Sequence, residues 1–488
     1  MDFTIPEYVN KILKALMAAG YDAYLVGGAV RDLLLEKEPE DFDVVTNAKP
    51  EEIIAVAKHE GFGVVEELGQ NFGVVMVVVD DNSVEVAAYR SESYGEDAHR
   101  PESVWYCETL AEDLARRDFT INAIALDIEG RVIDCFNGLE DLKNRELRTV
   151  GQASQRFAED ALRMFRACRF ISQLGVTCDA EVFAAITEQL PRVSGLSMER
   201  VRTEINKLMK GEFVNQGLDA LVKSGLAEQS CRNRQEGKEI QIPILPELSA
   251  LVGVPQNPNF HIYDVWNHTL KAVSFGEKSL EVRWALLLHD IGKGQPSVRG
   301  FDAEGNPTDY GHEELSARMA EKILKRFQFS ANFVKRVVWL IANHMQLGFR
   351  VGKDELGTRR WLRKAALSGA FRWNSDMQEA FAQLSSVCLA DLAATNAHEQ
   401  EIITMRMYSE ELLRLAADMP VHTSDLLLSG KQIAEILGDK ESLPQLIQIL
   451  LKRVQDGSVE NSEEALTKAV KKWQQRRLQY ETSAIDEM

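Results

Sequence analysis

Apolar residues occur at two different spacings in the first ninety positions of this 488-residue chain. Between residues 1 and 20 they recur at helical spacing, which predicts an amphipathic helix that ends at Gly20; its apolar positions are Val9, Ile12, Leu13 and Leu16. Residues 74–79 and 84–88 are short apolar runs that flank an Asp-Asp-Asn turn, which predicts a β-hairpin. A further helix is predicted from Pro50. The start of the chain is therefore expected to combine strands with helices.

Longer amphipathic patterns dominate the rest of the chain. Residues 155–172 are predicted to form one helix, whose buried stripe is Phe157, Ala161, Met164, Phe165, Cys168 and Ile171. The opposite side of that helix carries Glu159, Asp160, Arg163, Arg166 and Arg169. The polar, turn-rich stretch 90–104 predicts a mobile loop, and the charged stretch 229–245 predicts a linker. Amphipathic helices return after about residue 405.

The stretch from residue 24 to residue 43 combines two features of a nucleotidyl-transfer site. An apolar strand runs into Gly27-Gly28 and then into a predicted helix, which leaves backbone N–H groups facing an anion. Asp41 and Asp43 start another strand, so they share one face while Phe42 points into the core. Two carboxylates beside a phosphate-sized turn favour divalent-metal nucleotidyl transfer. The alternative is a tight turn followed by two solvated strand-end residues.

Further polar positions are candidates for the same chemistry. Glu85 is a single polar residue in an apolar strand, so it either faces solvent or completes a carboxylate trio for two metals. Arg116 and Arg117 either hold a triphosphate or cap a helix together with neighbouring acids. Asp160 and Arg163 stand at i,i+3, where they form either a surface ion pair or a device that reads a base edge. In the second case the carboxylate accepts from an exocyclic amine and the guanidinium donates to a ring nitrogen or carbonyl.

Composition narrows the class of protein. A chain of this length should divide into about three or four domains. It contains no signal-peptide pattern and no run of about 18 apolar residues, so we expect a cytoplasmic protein without membrane association. The six cysteines include no Cys-x-x-Cys pair, which favours reduced thiols over a disulfide framework.

The formal net charge of −19 is unevenly distributed. Counting Lys and Arg against Asp and Glu gives about −19 for residues 1–142, about +4 for residues 143–210 and about −4 for the remainder. The acidic part contains the candidate metal site, and the basic part follows it directly. Attraction for a polyanion such as RNA is therefore expected to be local rather than global.

Four motifs of this chain stand in the order found in the class II CCA-adding enzymes. These are tRNA nucleotidyltransferases, to which bacterial poly(A) polymerases are closely related. The motifs are Leu25-Val26-Gly27-Gly28-Ala29-Val30-Arg31-Asp32, Asp41-Phe42-Asp43, Arg116-Arg117-Asp118-Phe119-Thr120-Ile121-Asn122-Ala123 and Glu159-Asp160-Ala161-Leu162-Arg163. The chain resembles that family over roughly residues 20–225.

This resemblance implies an α+β fold, in which a small mixed-sheet head is followed by an all-helical neck, body and tail. It implies that the catalytic carboxylates are Asp41 and Asp43, which bind Mg²⁺, and Glu85. The nucleotide-binding positions that it implies are Gly27, Gly28, Arg31, Arg117, Asp160, Arg163, Arg166 and Arg169. Among these, Asp160 and Arg163 resemble the amino-acid template that selects CTP or ATP without a nucleic-acid template.

Residues 260–400 carry a second set of candidate ligands, which are His268, His289, Asp290, His312, His344 and Asp391. A lone His on an apolar helix is more often a hydrogen-bonded core residue, whereas imidazoles and carboxylates that face inward from several helices form metal sites. The order of these residues, with His289-Asp290 followed by Ile-Gly-Lys, resembles the HD phosphohydrolase superfamily. His261, His398 and His422 lack such a context and are assigned no role.

The resemblance to HD phosphohydrolases implies a dinuclear site for a divalent transition metal such as Mn, Ni, Co or Fe. Its implied activities are those of a phosphatase, a 2′-nucleotidase or a 2′,3′-cyclic phosphodiesterase, because the metals would position and acidify a water that attacks a phosphoester. The alternative is a relic that only binds metal.

The expected domains are a nucleotidyltransferase head (1–150), a helical neck and body (151–228), a linker (229–258), an HD domain (259–400) and a helical tail that binds tRNA (401–488). The expected function is the addition or repair of the 3′-terminal CCA of tRNA from CTP and ATP. The alternatives are an A-adding tRNA nucleotidyltransferase, a poly(A) polymerase and a non-enzymatic RNA-binding protein with degenerate sites. The sequence does not distinguish a monomer from a homodimer.

Overall fold

The computed structural model describes residues 3–65, 73–94, 101–235, 237–352 and 354–486. The chain divides after Ser249 into two units, each of which is held together by its own contacts. That division falls within the linker predicted over 229–258. In the part of the chain that is described, no helix has both the length and the apolar character needed to cross a membrane.

The first unit is built around a mixed sheet. Its strands and those that follow along the first part of the chain are β1 (Ala23–Val26), β2 (Asp43–Thr46), β3 (Gly63–Val65), β4 (Val74–Val79), β5 (Asn82–Ala88), β6 (Arg90–Tyr94), β7 (Pro101–Tyr106), β8 (Ile124–Leu126) and β9 (Val132–Asp134). Seven of them form one sheet in the order β3-β4-β5-β2-β1-β8-β9. Within this sheet β2 and β5 are parallel neighbours, and the other neighbouring strands are antiparallel.

Helices cover the sheet because their apolar stripes match its apolar strands. The helices of this part are α1 (Glu7–Ala18), α2 (Gly28–Leu34), α3 (Pro50–His59), α4 (Leu110–Ala115) and α5 (Gly138–Asn144). Leu13 of α1 and Ile53 of α3 share one buried cluster with Val86 of β5. Val45 of β2 belongs to a second cluster together with Leu114 of α4. This two-sided burial fixes the register of β2 and β5, and with it the polar residues on those strands.

The structure differs from the mobile loop predicted over 90–104. Strands β6 and β7 pair antiparallel, from Arg90 opposite Tyr106 to Tyr94 opposite Pro101. Aromatic residues favour strands, and this preference outweighs the polar composition of the stretch. Residues 95–100 of the prediction lie outside the described residues.

After the sheet, the first unit is mainly helical. Its remaining elements are β10 (Glu146–Leu147), α6 (Ala153–Glu159), α7 (Leu162–Leu174), β11 (Thr177–Cys178), α8 (Ala180–Gln189), α9 (Met198–Met209), α10 (Val214–Lys223), β12 (Ser230–Gln235), β13 (Lys238–Pro243) and α11 (Pro246–Ser249). Helix α7 packs against both α9 and α10. The contact with α10 is close enough that a Cβ on Gly217 would lie 2.5 Å from the Cβ of Ser172.

The prediction of a single helix over residues 155–172 is wrong, because the chain breaks at Asp160 into α6 and α7. Asp160 has φ −140° and ψ 106°, which is an extended rather than a helical conformation. Its Oδ1 accepts a hydrogen bond of 3.0 Å from the backbone N–H of Leu162, the first residue of α7. The apolar stripe from Phe157 to Ile171 is nevertheless buried as predicted.

The predicted linker is also more ordered than its composition indicates. Strands β12 and β13 form an antiparallel hairpin from Ser230 opposite Pro243 to Gln235 opposite Lys238. The side chain of Cys231 is fully buried, and the backbone N–H of Arg232 donates to the carbonyl of Leu196 at 2.8 Å. Residues 230–243 therefore form part of the first unit rather than a free connection, and the neck is not entirely helical.

The second unit is predominantly helical. Its elements are α12 (Val265–Phe275), α13 (Leu280–Leu288), β14 (Arg299–Phe301), β15 (Pro307–Asp309), α14 (His312–Arg326), α15 (Ala331–Gly348), α16 (Glu355–Ala366), α17 (Asn374–Ala393), α18 (Glu399–Ala417), α19 (Gly430–Leu437), α20 (Leu443–Gln455) and α21 (Glu463–Asp486). The last three helices share a core in which Leu446, Leu450 and Leu466 are buried. The α+β class with a small sheet and a mostly helical remainder is confirmed.

Candidate active sites

Three carboxylates meet at one position on the sheet of the first unit, and we refer to Asp41, Asp43 and Glu85 as the carboxylate site. The parallel pairing of β2 with β5 places Asp43 opposite Glu85. Asp41 lies just before β2 and Phe42 between the two aspartates is buried, as the alternation predicts. Burial raises the pKa of Asp43 to about 6, and the nearby charges of Asp41 and Glu85 act in the same direction.

The carboxylate site combines burial with neighbouring negative charge, since Asp41 and Glu85 add to the effect of burial on the pKa of Asp43, and Arg117 counters it. Carboxylate oxygens on a rigid strand are the ligands that Mg²⁺ prefers. The donor set of the carboxylate site therefore fits one or two divalent cations, with Asp41 and Asp43 as the residues that would hold them.

The glycine turn lies directly against the carboxylate site. Gly27 has φ 72°, a conformation that favours glycine, and a Cβ there would lie 3.2 Å from Arg117 Nη1 and 3.8 Å from Asp43 Oδ2. A Cβ on Gly28 would lie 3.6 Å from Arg31 Nη2. The turn thus brings the backbone of Gly27-Gly28, two guanidinium groups and a carboxylate close together.

The paired arginines contact a neighbouring acid, as one of the two sequence interpretations predicted, while their binding of a triphosphate stays a prediction. Arg116 and Arg117 donate to the buried carboxylate of Asp113, at 2.7 and 3.2 Å. Burial opposes the ionisation of Asp113, but the two guanidinium groups outweigh it and lower the pKa of that carboxyl. Arg117 also reaches Gly27, so the neighbouring acid orients it toward the turn without preventing contact with a phosphate.

Asp160 and Arg163, the pair expected to read a base edge, form hydrogen bonds with different residues. Asp160 Oδ2 accepts from Arg200 Nη2 at 3.0 Å. Arg163 Nη1 donates to Glu159 Oε2 at 2.7 Å, and its Nη2 donates to the carbonyl of Arg116 at 3.0 Å. Because Asp160 precedes α7, the pair is not presented on consecutive turns of one helix, which corrects the predicted geometry.

Three arginines converge on the ring of Phe170 in α7. The guanidinium carbons of Arg31, Arg166 and Arg169 lie 5.4, 5.4 and 4.4 Å from its centroid. Burial lowers the pKa of Arg169 to about 10, and Arg166 adds to that effect. Such a cluster of like charges is costly unless anions neutralise it.

Carboxylates hold these arginines in place. Arg166 pairs with the buried Asp118 at 2.5 Å, and Arg169 pairs with Glu204 at 3.3 Å. Burial opposes the ionisation of Asp118, but Arg166 and Arg163 overcome it and lower the pKa of Asp118 to about 2.

The residues that support the site were missed by the sequence interpretation, although some stand within the motifs. They are Asp113, Asp118, Asn122, Phe170, Arg200 and Glu204. Asn122 Oδ1 accepts from Arg31 Nη1 at 2.8 Å, and both Asp118 and Asn122 belong to the Arg-Arg-Asp-Phe-Thr-Ile-Asn motif. A polar residue at an otherwise buried position of such a motif was the signal that could have identified them.

The second unit brings all of its candidate ligands together in one buried cluster. This histidine centre consists of His268, His289, Asp290, His312, His344 and Asp391. Asp290 lies in the middle, with Oδ2 3.2 Å from His289 Nε2 and Oδ1 3.2 Å from His312 Nε2. Asp391 Oδ1 is 2.9 Å from His268 Nε2. Two groups of three residues that share Asp290 have the ligand spacing of a metal site.

The imidazoles of the histidine centre all have the same orientation. In each, Nδ1 lies near a backbone carbonyl, at 3.3 Å for His268 (Ala394), 2.7 Å for His289 (Leu286), 2.8 Å for His312 (Asp309) and 2.7 Å for His344 (Ile341). A carbonyl can only accept, so Nδ1 carries the proton and the Nε2 lone pair points inward. Two such pairs of Nε2 atoms are 3.3 and 3.4 Å apart.

Lone pairs that face each other at this distance repel unless a positive charge lies between them. Although burial lowers it, the pKa of His289 is raised to about 10 by Asp290 and Asp391, which marks a position that favours positive charge. Burial also opposes the ionisation of Asp290, but His289 and Lys293 hold its pKa well below the usual range. Imidazoles whose Nδ1 atoms are tethered to carbonyls, together with ionised carboxylates, fit a pair of divalent transition metals, whose charge would take the place of the proton on His289.

A further histidine and a lysine border this centre. The ring of His261 packs edge-on against that of His268, with centroids 4.8 Å apart. Lys293 Nζ is 2.8 Å from Asp290 Oδ2. Burial, together with the charges of Lys293 and His268, lowers the pKa of His261 to about 3. The spacing of the ligands gave no indication that His261 would lie here.

Known proteins resemble the chain in each of these parts. The family described as the poly A polymerase head domain matches residues 23–148, the probable RNA and SrmB-binding site of polymerase A matches 175–232, and the HD domain matches 261–367. The match to the HD domain covers five of the six residues of the histidine centre, and Asp391 lies beyond it.

Similar curated proteins are CCA-adding enzymes. The one from Enterococcus faecalis is 29% identical over 96% of this chain and 97% of its own length. The one from Geobacillus stearothermophilus is 38% identical over 63% of this chain and 69% of its own length. The one from Geobacillus sp. (strain WCH70) is 44% identical over 47% of this chain. The matched part spans about half (56%) of that relative's own length.

A solved structure resembles the chain over nearly its whole length. The crystal structure of the Bacillus stearothermophilus CCA-adding enzyme in complex with CTP is 27% identical, with a TM-score of 0.63, and the similarity covers 98% of this chain and 100% of that one. A tRNA nucleotidyltransferase complexed with a primer tRNA and an incoming ATP analog, 22% identical with a TM-score of 0.50, shares the fold.

Proposed function

We propose that this chain, which belongs to the family of CCA-adding enzymes, adds or repairs the 3′-terminal CCA of tRNA from CTP and ATP. The observation that carries the proposal is the contact of the Gly27-Gly28 turn with both Arg117 and Asp43, because it places a phosphate-binding backbone beside the carboxylate site. A non-enzymatic RNA-binding protein with degenerate sites would have no use for that combination.

The carboxylate site would perform the chemistry of the first unit. Asp41 and Asp43 would hold Mg²⁺, with Glu85 as the third carboxylate. The bound ions would activate the 3′-hydroxyl of the RNA for in-line attack on the α-phosphate and stabilise the departing pyrophosphate. Asp43 must be ionised for this role, and a pKa of about 6 allows that at neutral pH.

The triphosphate and the base would be bound by different groups. The backbone of Gly27-Gly28 with Arg31 and Arg117 would contact the phosphates, and Arg166 and Arg169 would complete the nucleotide site. Asp160 would accept from the exocyclic amine that C and A share, which U lacks, and Arg163 would donate to the ring.

Extension of defined tRNAs tests this function. The protein is incubated with Mg²⁺ and tRNA that ends before the first C, after C or after CC, and labelled CTP and ATP are supplied separately. Addition of C to the first two and of A to the third is expected. Addition of A alone would indicate an A-adding enzyme, and long A tracts would indicate a poly(A) polymerase.

A matched pair of variants links the reaction to the carboxylate site. Asp43→Asn should reduce incorporation by at least a hundredfold, because it removes a metal ligand without changing volume. Asp22→Asn changes an exposed aspartate of the same unit and should retain activity. Equal activity of the two variants would exclude the carboxylate site as the catalytic centre.

We further propose that the histidine centre hydrolyses phosphoesters, because its inward-facing Nε2 atoms and ionised carboxylates fit a dinuclear metal site. His268, His289, Asp290, His312, His344 and Asp391 would hold the two metals. When bound, the metals would supply Lewis-acid chemistry that acidifies a water and polarises the phosphoryl group. The substrate classes are phosphomonoesters, 2′-phosphates of nucleotides and 2′,3′-cyclic phosphodiesters.

The two activities should separate in a single variant. Asp290→Ala should abolish metal-dependent phosphohydrolysis and leave CCA addition intact, because Asp290 lies at the middle of the histidine centre and the carboxylate site belongs to the other unit. If both activities fell together, two independent sites would be the wrong description. A wild-type protein that binds two transition metals but hydrolyses none of the three substrate classes would be a metal-binding relic.

A further inference from the structure

His261 differs from the four histidines of the histidine centre in one respect. Each of those four has its Nδ1 atom at a backbone carbonyl. The Nδ1 atom of His261 is buried and makes no hydrogen bond to any of the described residues. Buried polar atoms without a partner are rare and costly, so this atom of a partly exposed side chain requires an explanation.

The position of His261 is fixed by its loop and its backbone rather than by a hydrogen bond of Nδ1. Its backbone N–H donates to the carbonyl of Asn257 at 3.0 Å. Gln256 Oε1 accepts from Lys293 Nζ at 2.8 Å, while Gln256 Nε2 donates to the carbonyl of Tyr263 at 3.1 Å. Because Lys293 also contacts Asp290, this loop is connected directly to the histidine centre on the side of that lysine.

The surroundings of His261 contain charged groups of both signs. Its ring contacts His268 edge-on, and the charges of Lys293, Asp290 and Asp391 all act on it. His261 and Lys293 therefore border the centre at which a phosphoryl group is proposed to bind. An imidazole N–H and an ammonium group are both suitable donors to the oxygens of such a group.

We propose that His261 is a substrate-binding residue of the histidine centre, whose ring N–H donates to a non-bridging oxygen of the phosphoryl group. This inference rests on the proposed phosphohydrolase function and adds a phosphoryl-binding group outside the six metal ligands. It explains why the ring is held in place while its Nδ1 atom has no hydrogen-bond partner among the described residues.

Binding of inorganic phosphate to the Mn²⁺-loaded full-length protein tests the proposal without requiring turnover. Phosphate binding that persists in the Asp290→Ala variant is assigned to other parts of the chain and subtracted. His261→Ala should weaken the remaining affinity about tenfold or more, which is the effect expected for losing a hydrogen bond to a charged oxygen. His261→Asn should retain most of the affinity, because the amide N–H of Asn reaches the position of imidazole Nδ1.

Metal content distinguishes a substrate-binding residue from a further ligand. The number of Mn²⁺ ions per chain, measured by elemental analysis, should be unchanged in His261→Ala, and it should fall in Asp290→Ala. As a matched control, His59→Ala replaces an exposed histidine of the first unit and should bind phosphate and metal as the unmodified protein does.

Three results would overturn the inference. Unchanged phosphate affinity at unchanged metal content would make His261 a packing residue. Loss of metal in His261→Ala would make it a ligand or a support of His268. Equal weakening by Ala and Asn would exclude the proposed donor. A wild-type protein that binds phosphate in a His261-dependent way but hydrolyses no phosphoester would instead refute the proposed function and leave the phosphoryl contact standing.

Discussion

Replacing Asp118 by Asn should loosen the helix that carries the candidate nucleotide-binding arginines. Asp118 is 7% exposed and pairs with Arg166 of α7 at 2.5 Å. It also accepts from the backbone N–H of Phe119 at 2.8 Å and from Asn122 Nδ2 at 3.3 Å. Asn keeps the volume and one acceptor oxygen but removes the charge, so the change isolates the ion pair from packing.

The magnitude follows from the pKa of the carboxyl. Burial opposes ionisation, yet Arg166 and Arg163 lower the pKa of Asp118 from 3.8 to about 2. One pKa unit corresponds to about 1.4 kcal/mol, so the charged form stabilises the fold by about 2 kcal/mol relative to the neutral form. Because the folded pKa is depressed, this contribution is fully present above about pH 4 and is lost as the pH falls through about 2.

Hydrogen exchange of peptides that cover α7 measures this effect locally, which a chain of two units requires. At pH 7 the protection of these peptides should fall about thirtyfold in Asp118→Asn, the equivalent of about 2 kcal/mol. The difference from the wild type should be the same at pH 5. Asp219→Asn, which removes the acidic partner of the largely exposed Lys223, should change protection less than threefold.

The ion-pair argument would be refuted by protection of α7 that is equal in Asp118→Asn and Asp219→Asn. It would also be refuted by a loss that is already complete at pH 5 in the wild type, because the carboxyl would then titrate near its usual pKa. A fall that extends equally over β12 and β13 would indicate global unfolding of the unit instead of loosening of α7.

Three further outcomes are expected. Nucleotide incorporation at limiting Mg²⁺ should decline as the pH falls through about 6, because the raised pKa of Asp43 leaves this carboxyl protonated below that value. Higher Mg²⁺ should restore the rate. A rate that does not change down to pH 5 would contradict this prediction. Gly217→Ala should lower the free energy of unfolding of the first unit by about 1–3 kcal/mol in urea titrations, since its Cβ would approach Ser172 to 2.5 Å, whereas Gly195→Ala, with open space around it, should have little effect. Removal of transition metals by chelation should lower the unfolding temperature of the wild type and not that of Asp290→Ala; equal shifts in both would place the stabilising metal elsewhere.

The spacing of apolar residues predicted those helices and strands in which the buried face alone determines the conformation. The helix of α1 and the hairpin of β4 and β5 are confirmed because their apolar positions have one consistent spacing. The break at Asp160 escaped the same reasoning, because the apolar stripe continues across it at helical spacing. The side chain of Asp160 accepts a hydrogen bond from the first backbone N–H of α7, and this bond competes with a continuous helix. The spacing of apolar residues carries no information about such side-chain hydrogen bonds.

The residues of the candidate sites could be predicted from the sequence, but the contacts that hold them in place could not. Ligand types and their spacing identified the carboxylate site and the histidine centre, and the structure brings each set together, while their roles stay predictions. Contacts between distant parts of the chain were not predictable: Asp160 with Arg200, Arg169 with Glu204, and His261 with His268. Such pairs depend on how helices pack, which local patterns leave open.

The contacts of the first unit also change how its basic segment is interpreted. Counting residues indicated that a basic segment after residue 142 would attract RNA. Arg163, Arg166, Arg169 and Arg200, however, each pair with a carboxylate in the folded unit. Glu159, Asp160 and Glu204 are already included in the net charge of about +4, so the pairs change the orientation of the arginines more than the net charge of the segment. Guanidinium groups that are held in fixed orientations lose less side-chain entropy when a ligand binds. This fixed orientation supports the nucleotide-binding role proposed for Arg163, Arg166 and Arg169.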